Sequence, residues 1–121
     1  MNSPIRQAYL AGPYSDDCPA VRLVYIAQSC QASASMARLG FFPICPHASG
    51  DHRVSWEKAM TRCDEMVLSL RAGVDLMVML PGWEKSRGAV IEKKWALDAG
   101  VEVRELHEMF PEVEGAEGHP A

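Results

Sequence analysis

The stretch Val74–Val103, VDLMVMLPGWEKSRGAVIEKKWALDAGVEV, decides the fold of this chain. Its first part, Val74–Leu80, is apolar apart from one aspartate, which is typical of a strand covered on both faces of a sheet. A glycine-containing loop (Pro81–Arg87), a helix over residues 88–99 and a strand (Val101–Leu106) are expected to follow. The stretch therefore predicts a strand–helix–strand unit of an α/β protein.

One carboxylate in that helix lies where a purely structural helix would not place it. At 100° per residue, a single apolar arc of the helix contains Ile91, Trp95, Gly88, Ala99, Glu92, Ala96 and Ala89. An ionised carboxylate on the face that packs on a sheet costs several kcal/mol unless it is hydrogen-bonded or opens into a pocket. Glu92 is therefore the first candidate for chemistry.

The upstream sequence supplies two more strands and two more helices. We expect strands at Arg6–Ala11 and Phe41–Cys45, and helices at 20–39 and Trp56–Arg71. Pro43 cannot donate to a β-ladder, so the second strand belongs at a sheet edge. The 20–39 helix, which Gly40 would end, is expected to bury one apolar face, formed by Val21, Val24, Tyr25, Ala32, Met36 and Leu39.

This alternation predicts a three-layer α/β fold with a parallel sheet in the strand order 2-1-3-4. A fifth short strand is an open alternative. Ligands of such sheets bind at the carboxyl ends of the strands where the chain reverses direction, here the first and third. The two loops at that point are GPYSDD and PGWEKS, and their candidate binding residues are Gly12, Pro13, Tyr14, Ser15, Gly82 and Trp83.

The start of the Glu92 helix is suited to an anion. Ser86 is a good N-cap, Gly88 would let a ligand approach the backbone, and Lys85 and Arg87 add positive charge. An ordinary capped helix would explain the same residues. The sequence contains neither a Walker loop nor a G-x-G-x-x-G motif, which argues against triphosphate hydrolysis and hydride transfer.

Composition limits the class of protein. The chain has 121 residues, 48% of them hydrophobic, which fits one folded domain over 1–110, while the acidic end, 111–121, is expected to be a disordered tail. The net charge of −4 comes from the last residues, so the body carries no basic stripe for nucleic acid. No apolar run is long enough to span a membrane, and the N-terminus is a poor signal peptide. We expect a cytoplasmic protein.

The four cysteines carry no metal or redox spacing. Reduced thiols that mostly pack are expected for a chain that is not secreted, and no motif indicates a catalytic cysteine. Cys45, His47 and His52 lie close in sequence but lack paired ligand spacing. We therefore expect neither a metal nor another cofactor.

Three segments carry a family resemblance: YLAGPYS, GFFPICPH and DLMVMLPGWEKSRGAVIE. Over about residues 6–104 the chain resembles the nucleoside 2-deoxyribosyltransferase superfamily, especially its small members and the related nucleoside 5′-monophosphate N-glycosidases. The S-x-G-x-x-x-E element is the most specific part. The resemblance implies a flavodoxin-like or Rossmann-like fold and cleavage of the bond between a 2-deoxyribose and its base.

The resemblance also implies residue roles. Glu92 matches the nucleophile that attacks C1′, Tyr9 a tyrosine near the sugar and the glutamate, and Asp64 an assisting aspartate. Ser86 and Gly88 match the loop that holds the 5′ end or its phosphate. A homo-oligomer, a dimer or larger, is implied as well.

Four other residues are candidates for a role in binding or structure. Gly12 matches the first nucleotide-binding loop of the superfamily. Arg22 is either a phosphate partner, which its guanidinium suits, or a solvated helix residue. Trp83 is either a lid that stacks on a base or a hydrophobic plug. Asp75 could simply cap a neighbouring helix.

The predicted function is N-glycosidic bond cleavage or 2-deoxyribosyl transfer on a small-molecule nucleoside or nucleoside 5′-monophosphate. The charges beside Ser86 favour the monophosphate. A non-catalytic nucleotide-binding or sensing module is the leading alternative, and a structural α/β domain with an empty crevice is the third.

Overall fold

A computed structural model describes residues 5–13, 18–46 and 55–110 of the chain. Within these segments lie four strands, three long helices and two short 3-10 turns. In chain order they are β1 (Gln7–Ala11), α1 (Pro19–Arg38), β2 (Phe42–Ile44), α2 (Trp56–Leu68), β3 (Leu76–Met79), a turn (Trp83–Lys85), α3 (Arg87–Asp98), β4 (Glu102–Glu105) and a turn (Leu106–Met109).

The four strands form one all-parallel sheet in the order β2-β1-β3-β4, as the sequence predicts. Pro43 lies on the edge strand β2, where its missing N–H leaves no gap in the ladder. β3 is central, and none of its residues is more than 1% exposed. No fifth strand occurs in the segments that the structure describes.

Helices cover both faces of the sheet and give three layers, a flavodoxin-like or Rossmann-like architecture. Alternate residues of β1 and β3 point to opposite sides. On one side Tyr9, Ala11, Met77 and Met79 pack with α2 and α3. On the other side α1 covers the complementary set, Ala8, Leu10, Leu76, Val78 and Leu80.

α1 buries a shorter stretch of its apolar face than its sequence predicts. Ala32 and Met36 are buried as expected, but Val24 is 54% and Leu39 46% exposed. All three buried residues of α1, including Ser29, lie in its second half. The helix has 20 residues and spans about 30 Å, whereas the strands beneath it span at most about 17 Å. Half of the helix therefore has no strand to pack on.

The end of α2 also differs from the prediction. The helix ends at Leu68 rather than Arg71. The backbone N–H of Arg71 donates to the Asp75 carboxylate over 2.7 Å, so a side chain takes the place of a helical carbonyl. Ala99, predicted on the inward arc of α3, is exposed because α3 ends at Asp98.

Gly40 and Gly100 end α1 and α3 as predicted. Their φ angles are +93° and +75°, a left-handed conformation that glycine adopts without strain. The predicted polar loop after β2, with His47 and His52, and the tail 111–121 lie outside the described residues.

Candidate functional site

A tyrosine and a glutamate meet under α3, at the junction of β1 and β3. Tyr9 points from β1 to the face covered by α2 and α3, and it is 0% exposed. Glu92 lies on the inward face of α3 between the buried Ala89 and Ala96, and it is 4% exposed. The Tyr9 hydroxyl donates a hydrogen bond to Glu92 Oε2. The buried carboxylate therefore has the hydrogen-bond partner that its position requires.

Cys63 is the third member of this group. It lies half-buried on α2, close enough to Glu92 and Tyr9 for each of the three groups to affect the pKa of the other two. Sequence reasoning missed it, although the spacing of α2 contains a signal. Met60, Cys63 and Val67 are separated by three and four residues, so they share one helical face, and Val67 is fully buried.

The protonation states of the three groups follow from this enclosure. Burial raises the pKa of Glu92 to about 7, although the hydrogen bond from Tyr9 and then the nearby Cys63 act to lower it. Burial, and then the nearby charge of Glu92, raises the pKa of Cys63 to about 11 and holds the pKa of Tyr9 well above its usual range. Near neutral pH, a carboxyl group that can ionise thus faces two groups that keep their protons.

The loops after β1 and β3 lie against each other above this group. A Cβ added to Gly12 would lie 2.7 Å from Leu80 Cβ, and one added to Gly82 would lie 3.5 Å from Pro13 Cγ. Gly12 is therefore required by the close approach of the two strand ends. The structure brings Gly12, Pro13 and Gly82 to the predicted crevice, whereas Tyr14 and Ser15 lie outside the described residues.

Ser86 caps α3 as its sequence predicts. The Ser86 hydroxyl accepts a hydrogen bond of 3.2 Å from the Ala89 backbone N–H. The other first-turn N–H groups of an α-helix have no intrahelical partner and can bind an anion. Lys85, which immediately precedes the cap, is exposed.

Trp83 makes two polar contacts. Its indole Nε1 donates to the Glu105 carboxylate at 3.1 Å, and the Lys93 ammonium lies 4.3 Å from the ring centroid. It also packs against the buried cluster that contains Tyr9. Trp83 therefore packs as a hydrophobic side chain against the surroundings of Tyr9.

Two residues at the start of α3 face α2 rather than the crevice. The Arg87 guanidinium lies over the Trp56 ring, 4.2 Å from its centroid. A Cβ added to Gly88 would lie 3.1 Å from Met60 Sδ. Gly88 is thus explained by close helix packing, and in this structure Arg87 stacks on a tryptophan.

Asp64 and Arg22 are not in the Glu92 group. Asp64 is half-buried on α2, next to Cys63, and makes no hydrogen bond or ion pair within the described segments. Arg22 is half-buried in the first turn of α1.

Asp75 has a structural role at the opposite, amino end of β3. It accepts hydrogen bonds from the backbone N–H groups of Gln7 and Arg71, and it forms an ion pair of 2.9 Å with the Arg71 guanidinium. Burial alone would raise the pKa of Asp75, but these donors outweigh it and hold the pKa well below its usual range. Asp75 thus ties β1 to the α2–β3 loop.

A cavity of about 470 Å³ lies between α1 and the turn Leu106–Met109. Gln28, His107 and Phe110 are among its lining residues, and none of the Glu92 group is. In the described part of the chain, no three His, Cys, Asp or Glu residues are grouped to hold a metal ion. None of the described helices is long and apolar enough to cross a membrane.

Comparison with known families gives one match. The family model described as Domain of unknown function (DUF4406) matches residues 6–105. This range includes every element of the sheet and the whole Glu92 group. A search of the curated proteins finds no match.

Proposed function

The chain belongs to the DUF4406 family, a membership that names no reaction, and we propose from the site itself that it cleaves N-glycosidic bonds. The substrate would be a nucleoside or nucleoside 5′-monophosphate, and the sugar would pass to water or to another base. The resemblance of the chain to the nucleoside 2-deoxyribosyltransferase superfamily supports this proposal. We further propose a cytoplasmic homo-oligomer that uses no cofactor, nucleic acid or membrane.

The observation that carries the proposal is the buried Tyr9–Glu92 hydrogen bond at the reversal point of a parallel sheet. A structural helix would have a hydrocarbon side chain at this position. A carboxyl group with a pKa near 7, in a site of this kind, is a candidate for chemistry because it can act as a base or a nucleophile at cellular pH.

The proposed reaction has two displacements. A carboxylate oxygen of Glu92 forms a bond to C1′ while the C1′–N bond breaks, and the base leaves with the bonding electron pair and takes up a proton from solvent. Water or a second base then attacks C1′, loses a proton to solvent, and displaces the carboxylate, which is restored. The Tyr9 hydroxyl holds the carboxylate in place throughout and, because its pKa is raised, remains a hydrogen-bond donor.

The start of α3 is the proposed site for the 5′ end of the substrate. Ser86 caps only the Ala89 N–H, so the helix dipole and the preceding N–H groups can face a phosphate. Lys85 supplies an exposed positive charge beside them. Arg87 would have to leave the Trp56 ring to contribute a second charge.

A non-catalytic nucleotide-binding module is the second candidate. The observation that favours it is the position of Asp64, which makes no contact with Glu92 in the described segments. An assisting carboxylate is expected for proton transfer to the leaving base. A module that only senses nucleotides would not need one.

The test is release of free base from a panel of nucleosides and 5′-monophosphates, measured by chromatography. We expect the wild-type protein to release base from at least one member and Glu92→Gln to release none. Glu84→Gln, which removes an exposed carboxylate from the loop before α3, should behave as wild type. If the whole panel stays intact while a nucleotide raises the Tm, the binding module is correct and the enzyme proposal is wrong.

A further inference from the structure

The cavity between α1 and the turn Leu106–Met109 takes no part in the chemistry proposed for Glu92. α1 supplies one of its walls, whereas Glu92 lies under α3 on the opposite side of the sheet. Its volume of about 470 Å³ falls within the range of about 300 to 1,000 Å³ that is usual for small-molecule sites. Pro81, which follows β3, and Glu105, which ends β4, place it at the carboxyl edge of the sheet, the edge at which open α/β sheets bind ligands.

α1 contributes a polar stripe to this cavity. Its lining residues stand three, four and seven positions after the first of them, so they share one face of the helix: Gln28, Gln31, Ala32 and Ser35. Both glutamines are exposed and can be reached from solvent. In the described part of the chain neither carboxamide has a hydrogen-bond partner, so each keeps a donor and an acceptor for a ligand.

Apolar and aromatic side chains form much of the remaining lining. Ala32 and Met79 are buried, and they give the cavity an apolar inner surface beneath the polar stripe. Phe110 is half-buried and packs against the cluster that α1 covers. Its ring is a surface on which a planar ligand can stack.

The charge of the lining separates two kinds of ligand. Among the lining residues that the structure describes, none is a lysine or an arginine, whereas Glu105 carries a carboxylate. That carboxylate already accepts a hydrogen bond from the Trp83 indole N–H over 3.1 Å. A phosphate in the cavity would therefore face a carboxylate without a cation to neutralise it, so the lining fits an uncharged ligand better than a nucleotide.

We propose that this cavity is a second ligand site, which binds an uncharged purine base such as adenine. A glutamine carboxamide pairs with a purine through one acceptor and one donor, as it does with N6 and N7 of adenine. Gln28 and Gln31 supply such carboxamides, and Phe110 supplies the stacking surface. The reaction proposed for Glu92 would release a base of this kind, but binding in the cavity does not depend on that reaction.

The test is an NMR titration of the full-length, ¹⁵N-labelled protein with adenine. The side-chain amide resonances of Gln28 and Gln31 report on the cavity, and each is identified by its loss in Gln28→Ala or Gln31→Ala. The Kd is read from the glutamine resonance that remains, so binding elsewhere on the protein does not contribute. Phe110→Leu removes the ring and keeps an apolar side chain. Cys30→Ala is the matched control, because Cys30 is exposed on the opposite face of α1.

We expect adenine to shift both glutamine amide resonances until they saturate. The Kd should rise roughly 2- to 10-fold in each of Gln28→Ala and Gln31→Ala, the effect of losing a neutral hydrogen bond. Phe110→Leu should raise it by roughly 5- to 100-fold through loss of stacking, and Cys30→Ala should leave it unchanged. Resonances that do not move at millimolar adenine, or a Kd that is the same in the glutamine variants and in Cys30→Ala, overturn the inference. So does tighter binding of adenosine 5′-monophosphate than of adenine at these resonances.

The two proposals fail separately. Glu92→Gln should release no base and yet bind adenine in the cavity with the wild-type Kd. If the nucleoside panel stays intact while adenine shifts the Gln28 and Gln31 resonances, the inference holds and the enzyme proposal is wrong. If base release depends on Glu92 while those resonances stay in place, the inference is wrong and the proposed function holds.

Discussion

Glu92→Gln should stabilise the protein at neutral and alkaline pH but not in acid. The pKa of Glu92 rises from an ordinary value of 4.5 to about 7 on folding, chiefly because the side chain is buried. Below pH 4.5 the group is protonated in both the folded and the unfolded chain, so it does not oppose folding. Between pH 4.5 and about 7 the unfolded chain ionises Glu92 while the folded chain keeps it protonated, so stability falls over this range and levels off above it.

The magnitude follows from the two pKa values. Each unit of difference between the folded and unfolded pKa corresponds to about 1.4 kcal/mol. At a pH where Glu92 is ionised in both chains, its burial therefore lowers the free energy of unfolding by about 3 kcal/mol. Gln has nearly the same shape, carries no charge and keeps an oxygen that can accept from Tyr9. The free energy of unfolding of the variant should therefore exceed that of wild type by about 2 to 3 kcal/mol at pH 8.5, and the two should be nearly equal near pH 4.5.

The assay is urea unfolding of both proteins at several values between pH 4.5 and 8.5, with the difference in free energy of unfolding as the result. Glu84→Gln is the control, because it removes the charge of an exposed side chain and should give a difference close to zero throughout. A Glu92→Gln advantage that is constant with pH, or larger in acid, would refute the reasoning. It would mean that the carboxylate is solvated or paired in the folded chain.

Three further changes test the site and its frame. Tyr9→Phe removes a donor to Glu92, so the pH midpoint of Glu92 ionisation should rise by about one unit in a pH–rate profile or carboxyl NMR titration. Asp75→Asn should lower the free energy of urea unfolding by about 2–4 kcal/mol, since a fully buried carboxylate with several donors loses its charge; a loss under about 1 kcal/mol would contradict the structural role argued from those bonds. Gly12→Ala should lower the free energy of unfolding by about 1–3 kcal/mol, because the new Cβ would lie 2.7 Å from Leu80 Cβ. An unchanged Tm would show instead that the loop can move away.

The strand order was predictable because the strands differ in composition. β3 is an uninterrupted apolar run, which indicates a central strand, and Pro43 marks β2 as an edge. Two such assignments, with right-handed crossovers, leave little choice for the order β2-β1-β3-β4. Helix faces were harder to predict. The apolar spacing that includes Val24 is regular, but spacing does not reveal that α1 is longer than the sheet beneath it.

The position of Glu92 could be inferred from its own helix, because burial of a charged residue conflicts with ordinary helix packing. Its partners could not be inferred so directly. Tyr9 was a candidate only because of the superfamily resemblance, since a tyrosine in a buried strand is ordinary on its own. The resemblance likewise implies Asp64 as an assisting aspartate, but the α2 residue that affects the pKa of Glu92 is its neighbour Cys63.

The choice between these two neighbours depends on helix geometry. A step of one residue rotates a side chain by 100°, so Cys63 and Asp64 cannot both face α3 equally. Met60 fixes the facing side through Gly88, and Cys63 lies three residues beyond Met60 on that side. Burial then has opposite consequences for the two residue types. A carboxylate at position 63 would place a second acid beside Glu92 and raise its pKa further, whereas the thiol at that position keeps its proton and adds no charge. The side of α2 that meets α3 therefore affects the charge of Glu92, and a neutral side chain on that side spares Glu92 the repulsion of a second carboxylate.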